Sequence, residues 1–209
     1  MAPSPLIAGP LAAGGDHSFE DHSGENHSNE DLTGINLSFA DLSNTDFELA
    51  ILTNSDLTEA LLISANLRMA EIENATLASS NLSAATLQFA SFEGSDLSFA
   101  NLTAISTSPS FPDFNPVNFS GANLTSAQLS GSDFSLSSFQ EATLSSAVFI
   151  GTNLEQANLQ NIDPSKAITA QQLRDAANIQ GINLSGNNLS GYDLNNLDLR
   201  DSNLRDANL

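Results

Sequence analysis

The chain has 209 residues, with 25 Asp and Glu against 5 Lys and Arg and a net charge of −20. That excess argues against direct binding of nucleic acid or an anionic membrane and favours basic protein partners. There is no cysteine, which excludes disulfides and thiolate chemistry, and no apolar run approaches the roughly 18 residues of a membrane span.

In chain order, residues 1–16 open as MAPSPLIAGPLAAGG, apolar but broken by proline and lacking a basic n-region. They read as a flexible tail and place the chain in the cytoplasm, with a processed lumenal or periplasmic form as the alternative. The next stretch holds all three histidines, His17, His22 and His27, five residues apart and in step with Leu32, Leu37 and Leu42. If the periodic structure extends back over 17–31, the imidazoles point inward from three sides of one layer. Glu20, Glu25 and Glu30 stand where alanine stands elsewhere, and a buried carboxylate without a partner is costly. The layer therefore reads as a polar capping coil with His–Glu pairs, loosening below about pH 6 as the imidazoles gain charge. Disorder is the competing reading, and Zn²⁺ or a similar ion held by the three imidazoles is a third. No other cofactor is expected.

From Leu32 to Leu102 every fifth residue is Leu, Ile or Phe, and a mostly small residue stands two places earlier, as at Ala40, Ala50, Ala60 and Ala70. Five residues advance about 140° around an α-helix, which would scatter the leucines over all faces. In extended backbone, positions two apart share a face, so the small residue and the leucine point inward and the Asp or Asn between them points out. Because five is odd, a straight strand would lose phase at the next unit. Each unit must turn a corner, and the chain becomes a polygonal coil whose turns pair at about 4.8 Å.

This first segment, 17–102, is followed by 103–118, where Pro109, Pro112 and Pro116 predict a loop leaving the wall. The rhythm resumes at Phe119 for a second segment, 119–162. An inserted turn and helix occupy 163–178: Thr169 and Gln172 predict a capping box, Gly181 a stop, and the helix lies near 170–178. Ile179 falls twenty residues after Leu159, as if the insert replaced one coil, and the last segment, 179–209, ends in mid-rhythm at Leu209. Its open edge and near-neutral charge predict an end-to-end homodimer through the C-terminal coil.

Units such as ADLSN, ANLRM, SDLSF and ANLTA resemble the pentapeptide-repeat family over nearly all of the chain after residue 30. The resemblance implies an all-β fold, a right-handed four-sided parallel β-helix, here of about eight coils with one Pro-rich loop and one short inserted α-helix. Some members are acidic rods that mimic duplex DNA and bind type II topoisomerases, which implies a non-enzymatic acidic recognition scaffold for a basic or DNA-binding protein. The outward acids Asp31, Asp41, Asp46, Asp56, Glu71, Glu73, Asp96 and Asp133 are the candidate contacts. An apolar edge of Leu49, Met69 and Phe89, twenty residues apart, with Leu61 and Ile63, is either covered by the Pro-rich loop or the tail segment Pro5-Leu6-Ile7, or fits an alternative function. That alternative is a structural adaptor or assembly subunit of a photosynthetic, envelope or virion complex. Serines recur at repeat positions and neighbouring carboxylates follow from an acidic β surface, so no catalytic role is expected.

Overall fold

In a computed structural model of the chain, residues 10–105, 116–162 and 167–209 are described. Their backbone pairs through isolated parallel bridges, not long strands, and each bridge joins residue i to residue i+20 where no insert intervenes. Asp16–Asn36, Asp21–Asp41, Asn26–Asp46 and Asp31–Ile51 are the first bridges of four ladders, one for each five-residue side. The fourth runs unbroken through Asp31, Ile51, Glu71, Ser91, Asn118, Ser138, Asn158, Asn183 and Asn203, eight steps in all. At about 4.8 Å per step this ladder is about 38 Å long.

Each side ends in a tight turn in which the fourth residue's N–H donates to the first carbonyl, as from Ala40 to Leu37 at 3.1 Å. The third residue has φ near +60°, for example Phe39 at 61° and Asn44 at 60°, as a type II turn requires at that place. The Asp or Asn before each leucine completes the corner by accepting from the N–H two residues on, as Asp31 does from Thr33 at 3.0 Å. Inside, Leu37, Leu42, Phe47 and Leu52 are buried with Ala40 and Ala50, and the core continues to Leu189. Phe92, Phe119 and Phe139 stack along it with centroids 5.3 and 5.2 Å apart.

Four boundaries differ from expectation. The coil begins inside the expected tail: Gly14 donates to Thr33 at 2.9 Å and Asp16 bridges Asn36, so only residues 1–9 lie outside the described residues at that end. The expected loop at 103–118 is shorter, because Ile105 and Val117 fill inward slots, each 3% exposed. Register across it is i+27, as in Ser91–Asn118, while the proline-rich part, 106–115, lies outside the described residues. The helix α1, Ala170–Asp175, has the expected capping box: Gln172 N–H donates to the Thr169 hydroxyl at 3.1 Å and its side chain accepts from Thr169 N–H at 2.6 Å. It stops earlier than expected, because Asn178 is already claimed by Asn153 in the ladder, and Gly181 is a corner residue at φ +71°. The insert adds five residues to a coil and does not replace one: Asn153–Asn178 and Asn158–Asn183 are i+25 pairs, so Ile179 continues above Leu154.

Candidate functional site

Residues 17–31 form a regular coil, paired through Asp16, Asp21, Asn26 and Asp31 to the next. Backbone bonds from His22 to Asp41 (2.9 Å) and from His27 to Asp46 (2.8 Å) set these histidines above Leu42 and Phe47, and both side chains are buried. The three imidazoles do not converge on one point, because the glutamates are long enough to slot between them. Glu20 Oε2 lies 2.9 Å from His17 Nδ1 and 3.1 Å from His22 Nε2. Glu25 Oε2 lies 2.8 Å from His22 Nδ1 and 3.0 Å from His27 Nε2. Glu30 Oε2 closes the chain 3.0 Å from His27 Nδ1. Hydrogen bonding from His17 holds the Glu20 carboxyl below its ordinary value, and His22 does the same for Glu25. The layer is thus the ordered polar coil with His–Glu pairs, and the third reading, one ion held by all three imidazoles, gives way to an alternating His–Glu chain.

The acidic candidates all face outward, but around the rod and not along one stripe. Asp56 and Asp96 share a ladder with Thr76 between them; Asp41 stands on a second; Asp46 on a third; Asp31 and Glu71 on the fourth, with Glu73 at its corner; and Asp133 bridges Asn153 beyond the Pro-rich loop. Of the apolar candidates, Leu49, Met69 and Phe89 occupy one corner in successive coils, at φ of 61°, 58° and 60°, and all are exposed. Leu61 and Ile63 are also exposed but belong to the Asp41–Leu61–Asn81 ladder, so the structure does not join them to that corner. Sequence reasoning passed over Phe19, which stacks on Phe39 with centroids 4.6 Å apart and rings 1° from parallel. Its twenty-residue spacing from Phe39 was visible, but that layer had been read through its histidines.

Among the described residues no helix is long and apolar enough to cross a membrane. No curated protein sequence matches the chain. Among solved structures, HetL, a pentapeptide repeat protein involved in heterocyst differentiation regulation from the cyanobacterium Nostoc sp., is 24% identical with a TM-score of 0.53; the match covers 94% of this chain and 81% of HetL. A trypsin-treated QnrB1, a plasmid-mediated fluoroquinolone resistance protein, is 21% identical with a TM-score of 0.67, covering 93% of this chain and 89% of its own. At these identities the likeness is one of fold. Pentapeptide repeats match in eight copies over residues 31–68, 50–78, 70–104, 111–140, 137–161 and 176–209, more than half of the chain, and the His–Glu coil lies ahead of the first. With its twenty-residue ladders and stacked leucine and phenylalanine core, the chain belongs to the pentapeptide-repeat family.

Proposed function

We propose that this right-handed, four-sided rod of about eight coils is a non-enzymatic acidic recognition scaffold acting in the cytoplasm. Its partner on this reading is a basic protein of the kind that binds duplex DNA, such as a type II topoisomerase. The supporting observation is that the carboxylates are held in place. Asp31, Asp41, Asp46, Asp56, Asp96 and Asp133 each accept a backbone N–H two residues on, all at 3.0 Å. Asn36, Asn81 and Asn101 do the same work without charge, so the corner does not ask for an acid. A net charge of −20 over about 40 Å of rod is about one charge per 2 Å, close to the roughly 1.7 Å of duplex DNA. A basic surface shaped for a phosphate lattice meets a comparable one here.

The test is competition with duplex DNA for a type II topoisomerase. Asp56→Lys with Asp96→Lys, on one ladder, should weaken it more than Asp201→Lys with Asp206→Lys. Equal effects of the two pairs would remove the oriented surface from the account.

A second reading, the adaptor, is favoured by the apolar corner. A non-glycine residue in the left-handed region costs about 1–2 kcal/mol, and Leu49, Met69 and Phe89 there leave 43%, 41% and 47% of their surface exposed. A partner seated there meets Asp46 on one flanking ladder and Glu71 on the other. An end-to-end homodimer through the C-terminal coil is a further proposal, and the molecular mass in solution tests it.

A further inference from the structure

The acidic surface and the apolar corner leave the His–Glu coil without a task. We propose that His22, Glu25 and His27 form a site for one divalent transition-metal ion of the Zn²⁺ class, through His22 Nδ1, Glu25 Oε2 and His27 Nε2. These three atoms lie within 4.8 Å of one another, with Glu25 Oε2 2.8 and 3.0 Å from the two nitrogens. Bond lengths of about 2.0–2.2 Å in a tetrahedron need donors about 3.3 Å apart. Glu25 must open by a few tenths of an ångström, and the two ring nitrogens, within 4.8 Å of each other, must settle to that spacing. Two imidazoles and one carboxylate, with a fourth position left to water, are a donor set that zinc and its neighbours accept.

The choice between the two overlapping His–Glu–His sets rests on what holds the far side of each ring. His22 Nε2 is held by Glu20 at 3.1 Å and His27 Nδ1 by Glu30 at 3.0 Å. A carboxylate behind each ligating imidazole fixes ring orientation and strengthens the ligand. In the set His17–Glu20–His22, by contrast, His17 Nε2 faces Gly15, where an added Cβ would come within 2.9 Å. His22 belongs to both sets, so one ion is expected. The burial pattern also fits: His22 and His27 side chains are 0% and 9% exposed, while Glu25 at 43% lies on the open side. The ion replaces the ring protons shared with Glu25, and these leave to solvent. Nothing in the repeat requires the arrangement, since later coils fill the same slots with Leu and Ala.

The experiment titrates the full chain with Zn²⁺ by calorimetry, and with Co²⁺ as an optical probe, in excess Mg²⁺ to occupy sites made only of carboxylates. One equivalent is expected, with the visible bands of four-coordinate Co²⁺. Glu25→Gln and His27→Gln should abolish it, Glu30→Gln should weaken it about 10–100-fold, and His17→Gln should retain it. Circular dichroism verifies folding, and the exposed Glu25→Gln and Glu30→Gln carry the test if His27→Gln unfolds. Absence of stoichiometric binding, binding that survives Glu25→Gln, or binding lost in His17→Gln would each overturn the assignment.

Discussion

Met69 sits at φ 58° with its side chain 41% exposed, while Leu67, two residues earlier, is fully buried. Replacing Met69 by glycine relieves about 1–2 kcal/mol of left-handed strain, partly offset by the roughly 0.5–1 kcal/mol of extra freedom glycine has when unfolded. Met69→Gly should therefore leave stability unchanged or raise it by up to about 1 kcal/mol in urea denaturation, whereas Leu67→Ala should cost about 2–5 kcal/mol. A comparable loss from both would show that the corner side chain belongs to the packing. The histidine layer gives a second expectation. Glu20 and Glu25 have carboxyls lowered from an ordinary value of 4.5, so their stabilisation is full above about pH 4.5 and is lost as pH falls through the lowered values. A carboxylate stands between each pair of neighbouring rings, so ring–ring repulsion no longer argues for the expected loosening below pH 6. Amide protection of residues 15–32 should persist from pH 7.5 to 5 and begin to fall only below about pH 4.5; loss already by pH 6 would restore the repulsion account. The inward direction of these histidines was legible from their phase with Leu32, but the side-chain reach that puts Glu25 between two rings was not.

Within the elements, the inserted helix shows where reading by pattern succeeds and where it stops. Thr169 and Gln172 announce a helix start because capping is local chemistry. Its end was misread because glycine serves both as a helix stop and as a corner residue, and Gly181 is the latter. The true ends of the Pro-rich loop were hidden for a related reason: Ile105 and Val117 stand in inward slots that only the neighbouring coils define. Gln172 does more than cap. Its side-chain amide donates to Leu144 O at 3.1 Å, which also accepts the turn bond from Ala147 N–H, and to Ala147 O at 2.7 Å, a carbonyl that a continued ladder would have satisfied as Val148 N–H satisfies Ala127 O. Gln172→Ala should therefore cost about 1–3 kcal/mol through one stranded buried acceptor and a weakened capping box, measured by thermal or urea unfolding. A cost below about 0.5 kcal/mol would mean that water replaces the amide freely.

For the whole molecule, the five-residue period made the coil and its twenty-residue ladders legible, since Leu42, Leu62 and Leu82 declare the repeat outright. The partner was not legible, because Asp and Asn complete the corners equally well and the sequence does not say which acids a partner touches. The acids Asp41, Asp46, Asp56 and Asp31 stand on four different ladders, a distribution that suits a charged rod more than a single patch. The most direct measurement of that claim is the affinity of this protein for a type II topoisomerase as a function of salt. The account predicts a complex that competes with duplex DNA at about 50 mM salt and weakens at least about tenfold by about 200 mM, log affinity falling linearly with log salt. A stoichiometric complex indifferent to salt, or no complex at low salt and micromolar concentration, would contradict it.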